Sequence, residues 1–236
     1  MTDRRVVSDE TMTAAIKSAH NYHAWVFGSF ARYLVGGTVL EVGSGHGRYA
    51  RHIAPLVDKL LISDIDPAAV DAIRRDLTDL GDRVECLVMD GVDPARLPGL
   101  LDAVVLVNLL EHVEDDAALL RHCREAVRPG GRVILFVPAF EVLFSRMDAD
   151  AGHFRRYRRG TLLPLVRGAG LRVIESRYFN SVGFFGWGAN KLLGSHVNSG
   201  ATNAQVAVYD RLIPLLRHAD RVLPFLGQSL VVIAER

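Results

Sequence analysis

Cysteine is scarce: the 236 residues include two, Cys86 and Cys123. So few thiols exclude a disulfide-rich secreted scaffold, and neither has the nearby partner of a zinc or redox pair. Both read as small buried hydrophobes. Charge of one sign is also missing, with 28 Lys and Arg against 27 Asp and Glu and a net charge of +1. No global electrostatic footprint for nucleic acid or a membrane surface follows. Long apolar runs are lacking too. The most apolar stretch, Phe179–Gly194, carries Asn180, Asn190 and Lys191 and is shorter than the roughly 20 residues a membrane-spanning helix needs. Met1–Asp9 is polar and offers no apolar signal region, so a cytoplasmic chain without a transmembrane segment is expected. Repeats and low-complexity segments are absent from the sequence.

What is present is ordinary globular material, 49% apolar, in a length that suits one ample domain with a full core. Short runs of Val, Leu and Ile predict strands at Thr38–Val42, Lys59–Ser63, Val84–Val88, Ala103–Val107 and Arg132–Val137. Helices are predicted between them at 47–56, 67–80 and 115–127, with Pro67 at a first turn behind Asp66. Pro129-Gly130-Gly131 reads as a stop before the fifth strand. Upstream, Thr11–Leu34 reads as one or two helices carrying Tyr22, Trp25, Phe27 and Phe30. Downstream, a helix at 161–168, a strand at 171–178, an apolar helical stretch, a polar break at 195–202 and a last strand at 229–234 complete a count of seven strands. The alternation predicts an open, parallel α/β sheet with right-handed crossovers.

The central signal is Glu41-Val42-Gly43-Ser44-Gly45-His46-Gly47, directly after the first strand. Its glycines permit a sharp turn and a close approach to a ligand at a helix N-terminus. A dinucleotide fingerprint wants a third glycine at position 48, where Arg48 stands. Glu41 would also repel a pyrophosphate, and suits a ligand with a cationic amino-acid end, which points to S-adenosylmethionine. Asp64 ends the second strand, about 20 residues beyond the loop, where a carboxylate accepts from ribose hydroxyls. Asp90 ends the third strand, placed for the exocyclic amine of adenine, and Asn108 ends the fourth, beside the methionine moiety. All of them fall at strand carboxyl ends, the rim where open α/β sheets bind ligands.

EVGSGHG, LLISDID, VMDG, VVLVNLLEHVEDD and RPGGRVILFVPA resemble the successive motifs of the class I methyltransferases along essentially the whole chain. That resemblance implies a Rossmann-like seven-stranded sheet of order 3-2-1-4-5-7-6, its last strand antiparallel, with helices on both faces. It implies S-adenosyl-L-methionine as cofactor, S-adenosyl-L-homocysteine as product, and cofactor contacts from Glu41, Gly43, Ser44, Gly45, Gly47, Asp64, Ile65, Asp90, Gly91 and Asn108. Residues 1–37 would form a helical lid, 38–138 the cofactor core and 139–236 the acceptor side. Two motifs, NYHAW at 21–25 and GHFRRY at 152–157, resemble a bacterial subgroup acting on small molecules, including polyketide and sugar or lipid pathways. With them, Tyr22 joins the cofactor contacts and Trp25 the acceptor contacts.

Methyl transfer from a sulfonium is an in-line displacement served mainly by positioning, with a base where the nucleophile starts as a hydroxyl. His112, just after the fourth strand, is one candidate base, with Glu111 beside it to pin the loop or the imidazole. His153 and Tyr157 are further candidates, and the Arg155–Arg156 pair suits an anionic acceptor unless it clamps acidic neighbours such as Asp148. Phe184, Phe185, Trp187, Leu192 and Leu193 would line a hydrophobic acceptor site or pack in the core, and 212–226 reads as an amphipathic covering helix. No metal site is expected, because His112, Asp115, Asp116 and His122 fit no ligand spacing. The leading expectation is methyl transfer to oxygen of a small-molecule acceptor. Against a base-amine methyltransferase, Asn108 is followed by Leu109-Leu110 rather than by a Pro-Pro-aromatic turn. A nicotinamide enzyme is disfavoured by Glu41 and Arg48, and a non-catalytic cofactor-binding protein is the remaining alternative.

Overall fold

The computed structural model describes residues 19–34, 36–192 and 200–236. The expected helical segment before Ala19, Leu193 and the 195–199 part of the polar break lie outside the described residues. Seven strands form one sheet: β1 Thr38–Val42, β2 Lys59–Asp64, β3 Val84–Val88, β4 Leu101–Val107, β5 Val127–Pro138, β6 Arg172–Phe179 and β7 Ser229–Glu235. Their order is β3-β2-β1-β4-β5-β7-β6. The pairings from β3 through to β5 are parallel, and β7 is antiparallel to both β5 and β6. This is the order and polarity that the motif resemblance implied.

Among the described residues, eight helices cover the sheet: α1 His20–Gly28, α2 Ala50–Ile53, α3 Pro67–Asp76, α4 Asp116–Ala126, α5 Arg146–Asp150, α6 Arg159–Gly168, α7 Ser181–Leu192 and α8 Gly200–Leu216. Alternation along each strand divides the core in two. Leu40 and Val42 pack with Leu120 and Cys123 of α4 and Leu162 and Val166 of α6. Val39 packs on the other face with Val26 and Phe30 of the α1 region, Ile53 of α2 and Ile73 of α3. Glu41 shares the parity of Val39, so its carboxylate is directed to the α1–α3 face.

Local chemistry explains where these elements begin. Asp66 Oδ1 accepts from the Ala68 N–H at 2.9 Å with Pro67 at the first helical position of α3, and Asp115 caps α4 through the Ala118 N–H at 2.8 Å. The helix expected at 47–56 shrinks to the single turn of α2 and a following 3-10 turn, because Gly47 is left-handed at φ +64° and delays helical geometry. The expected stop at Pro129–Gly131 is instead an irregularity inside β5: pairing with β4 shifts register between Leu101 and Ala103, with Gly130 at φ +77°. The covering helix expected at 212–226 starts earlier, at Gly200, and gives way to a 3-10 turn at Arg217–Arg221.

Candidate functional site

The glycine loop is built on two strands at once. The Gly43 and Ser44 N–H groups donate to the Ser63 carbonyl at 2.8 and 3.1 Å, closing the turn against β2. Asp64 then uses its carboxylate as a brace, accepting from the Gly45 N–H at 2.8 Å and the Asp66 N–H at 3.0 Å. Gly43, Gly45 and Gly47 all have φ between +55° and +65°, a region that L side chains enter only at a cost. A Cβ on Gly43 would stand 2.5 Å from Leu109 Cδ1, whereas one on Gly45 would meet nothing within 4 Å. The loop is therefore packed underneath at Gly43 and open above Gly45.

Glu41 lies under this opening, 2% exposed, with Oε2 lacking any hydrogen-bond partner. Burial alone pushes its carboxyl up from 4.5 to about 8. Along the same rim, Ile65, Asp90 and Asn108 are exposed, and Gly91 is left-handed at φ +67°. Asn108 is itself left-handed at φ +50°, its N–H donating to the Phe136 carbonyl at 2.8 Å, so the chain leaves β4 in a sharp turn.

Helix α1 closes the α1–α3 face over the loop. His23 is buried and its Nε2 lies 2.9 Å from Arg48 Nη1, tying the helix to the residue that follows the glycine motif. His23 and Arg48 are not legible as site residues in the sequence, since their pairing is made by the docking of α1. Tyr22 hydrogen-bonds Ser229 at the start of β7, and burial drives its phenol up to about 12. Trp25 packs on Phe179 with ring centroids 4.2 Å apart and the planes tilted by 39°. Asp210 of α8 holds the start of α1 through the Tyr22 N–H at 2.8 Å.

On the opposite side of Asn108, the structure gathers Glu111, His112 and His153. A 3-10 turn, Leu110–His112, follows β4, and the Phe154 N–H donates to the Glu111 carbonyl at 2.8 Å, bringing the two segments together. The His112 and His153 rings meet edge to face at 4.6 Å. His153 Nδ1 lies 2.9 Å from Asp148 Oδ1, and its Nε2 lies 4.0 Å from Glu111 Oε1. Glu111 has 0% exposure, and neither carboxylate oxygen has a hydrogen-bond partner. Burial raises its carboxyl to about 7 against the pull of His153, and burial together with His153 lowers His112 to about 4. Burial pushes Asp148 up, but hydrogen bonds from His153 and Arg156 outweigh it and leave that carboxyl at about 2. Asp148, which sequence reading treated only as a charge neighbour, is the residue that orients His153.

The remaining acceptor-side candidates are engaged within the fold. Arg155 Nη1 donates to Asp116 Oδ2 at 2.8 Å and its Nη2 to the Glu114 carbonyl at 2.9 Å. Arg156 is buried, donates from Nε to Asp148 Oδ1 at 2.8 Å, and lies 4.9 Å from the centroid of the Trp187 ring. The Tyr157 hydroxyl lies 2.8 Å from Asp116 Oδ2 and 3.2 Å from the Leu110 carbonyl, and burial raises its pKa. Phe140, left-handed at φ +61°, stacks on Tyr178 at 4.6 Å and meets Phe184 edge-on at 5.3 Å.

A methyltransferase-domain family model matches residues 18–176, more than half of the chain. This chain belongs to that methyltransferase family. Its cofactor is S-adenosylmethionine. The methyltransferase is 34% identical over 103 residues to a ubiquinone biosynthesis O-methyltransferase of Xanthomonas euvesicatoria pv. vesicatoria (strain 85-10), an alignment spanning 43% of each chain. Its fold is similar to that of a SAM-dependent methyltransferase from Archaeoglobus fulgidus, with TM-score 0.62, 18% identity and coverage of 93% and 95% of the two chains. An O-methyltransferase family protein from Burkholderia thailandensis gives TM-score 0.59 at 20% identity, over 94% of this chain and 57% of that one.

The residues at the loop fit that cofactor. A buried carboxylate with an unpartnered oxygen is the complement of an ammonium group, and the open space above Gly45 leaves room for a ligand against the backbone. Among the described residues, no helix is long and apolar enough to cross a membrane. Replacing Gly43 by Ala in the methyltransferase is expected to lower thermal stability, since φ +65° alone costs about 1–2 kcal/mol and Leu109 must also move. A melting curve should fall by about 2–8 °C. An unchanged melting temperature would refute the packing of this loop.

Proposed function

We propose that this methyltransferase moves the methyl group of S-adenosylmethionine to a hydroxyl oxygen of a small-molecule acceptor. The observation that carries the reading is Glu41, a fully buried carboxylate with an unpartnered oxygen beneath the glycine loop. S-adenosylmethionine supplies a methyl carbon made electrophilic by its sulfonium. On the protein side, Glu41 would hold the cofactor's cationic amino end, with Gly43, Ser44, Gly45 and Gly47 giving backbone approach. Asp64 would accept from the ribose, Asp90 from the adenine amine, and Ile65, Gly91 and Asn108 would line the site.

His112 and His153 then meet the acceptor, with Glu111 buried behind them, orienting its hydroxyl and giving its proton a place to go. Oxygen as the target is supported by the activity named for the Xanthomonas relative over the shared segment. Phe140, Phe184 and Trp187 supply aromatic surface nearby, whereas Arg155 and Arg156 are already paired with Asp116 and Asp148. That balance favours a neutral, partly apolar hydroxyl compound over an anionic one.

Calorimetric titration with S-adenosylhomocysteine, with NAD as control, tests the cofactor. Transfer of labelled methyl to a panel of phenols and matched amines tests the acceptor. Micromolar binding of S-adenosylhomocysteine and not of NAD, loss of that binding in Asp64→Ala, and label on phenols are the expected results. Unchanged affinity in Asp64→Ala, or label confined to amines, would contradict this assignment.

A further inference from the structure

We propose that Glu111, His112 and His153 form a binding site for a divalent transition-metal ion of the zinc type. This rests on the methyltransferase reading, because it names a cation for the acceptor side of the same site. Sequence spacing argued against a metal, but it compared His112 only with its neighbours along the chain. The fold adds His153 from the segment after β5.

Three independent features converge on the cluster. One donor atom from each residue lies within 4.8 Å of the other two. The 4.0 Å between His153 Nε2 and Glu111 Oε1 is wider than the roughly 3.4 Å between donors of a tetrahedral ion with bonds of about 2.0–2.1 Å, so the two side chains close on the ion by a few tenths of an ångström. His153 is already oriented through a second contact, its Nδ1 held by Asp148 at 2.9 Å, and the His112 ring packs edge to face on the His153 ring at 4.6 Å. A carboxylate or carbonyl on the far nitrogen is the usual outer partner of a metal-ligating histidine. Finally, Glu111 is fully buried and neither of its oxygens has a hydrogen-bond partner. Leaving a buried carboxylate unpaired is costly, and a cation facing it removes that cost.

The donor set also selects the ion. Two imidazoles and one carboxylate suit zinc, cobalt or manganese, whereas magnesium and calcium prefer all-oxygen sets. Three protein ligands leave coordination positions open, as in catalytic rather than structural zinc sites. The guanidinium of Arg156 is the nearby positive group, and it is turned onto Asp148. An ion held here would acidify a hydroxyl bound beside it.

The test is a titration of the purified full chain with Co²⁺, followed by visible absorption, with Mg²⁺ in parallel, circular dichroism as the check that each variant is folded, and S-adenosylhomocysteine binding as a separate readout. One equivalent of Co²⁺ should give visible bands that Zn²⁺ displaces and Mg²⁺ does not. Asp148→Asn should weaken Co²⁺ binding about 10–100-fold, and His112→Ala, His153→Ala and Glu111→Gln at least as much. The variant His153→Cys should keep the ion and add a sulfur-to-cobalt charge-transfer band, a signature no merely structural histidine would give. Absence of the bands in protein that binds S-adenosylhomocysteine, or bands that survive both histidine-to-alanine changes, would overturn the metal site and leave the methyltransferase reading standing. Co²⁺ binding by folded protein that does not bind S-adenosylhomocysteine would support the metal site and sink the cofactor assignment.

Discussion

Replacing His153 with alanine is expected to lower methyl-transfer turnover about 10²–10⁴-fold, the usual range for a lost acid–base group. Binding of S-adenosylhomocysteine should stay nearly unchanged. The reason is geometric. His153 is the imidazole whose Nδ1 side is held by Asp148, which aims Nε2 at the Glu111 side of the cluster. The loss follows whether that nitrogen takes the acceptor's proton or holds a cation that acidifies it, and added metal distinguishes the two. Tyr157→Phe supplies the contrast. Its hydroxyl is bound to Asp116 and the Leu110 carbonyl, so the variant should lose about 0.5–1.5 kcal/mol of stability and little turnover. Full turnover in His153→Ala would remove the cluster from the mechanism, and a Tyr157→Phe protein that is stable but inactive would move the chemistry to the phenol.

The second large effect concerns Glu41 and pH. Its carboxyl rises from 4.5 unfolded to about 8 in the folded chain, so between those values the folded state binds more protons than the unfolded state. Stability of the ligand-free protein should therefore fall as pH rises from about 4.5 towards 8, by at most about 5 kcal/mol from this group. Glu111, raised to about 7, adds a fall of the same sign over a narrower range. Binding a ligand with an ammonium group favours the carboxylate and must release protons. The apparent enthalpy of S-adenosylhomocysteine binding at pH 7 should then depend on the ionisation heat of the buffer. Glu41→Gln should flatten the pH dependence, stabilise the free protein near pH 8, and weaken cofactor binding about 10–100-fold through loss of a charged hydrogen bond. Such an opposition of stability and binding is common at functional sites. Buffer-independent binding, or a Gln variant that binds as tightly as the parent, would show that Glu41 does not face the cofactor's amino end.

Much of the fold is written in local pattern. Runs such as Thr38–Val42 and Lys59–Ser63 fall on β1 and β2, whose residues 39–42 and 60–63 are buried, because strands covered on both faces are largely apolar along their length. The glycines at 43, 45 and 47 announce left-handed backbone because only glycine enters it freely. Elements failed to follow the pattern where backbone geometry overrode apolar spacing, as in α2 after Gly47 and in the irregular start of β5.

The glycine loop, the buried acid beneath it and the polar residues at the ends of β2, β3 and β4 were determined by the sequence itself, since each is a local statement about one strand and the turn after it. The acceptor side was decided by tertiary structure. Nothing near Glu111 in the chain identifies His153 as its neighbour, and nothing near Arg155 and Arg156 tells an anion clamp from pairs with Asp116 and Asp148. Partner choice among charged side chains depends on which segments the sheet brings within a few ångströms. That distance is set by the packing of β4 against β5 and the return of the 146–157 segment, not by spacing along the chain.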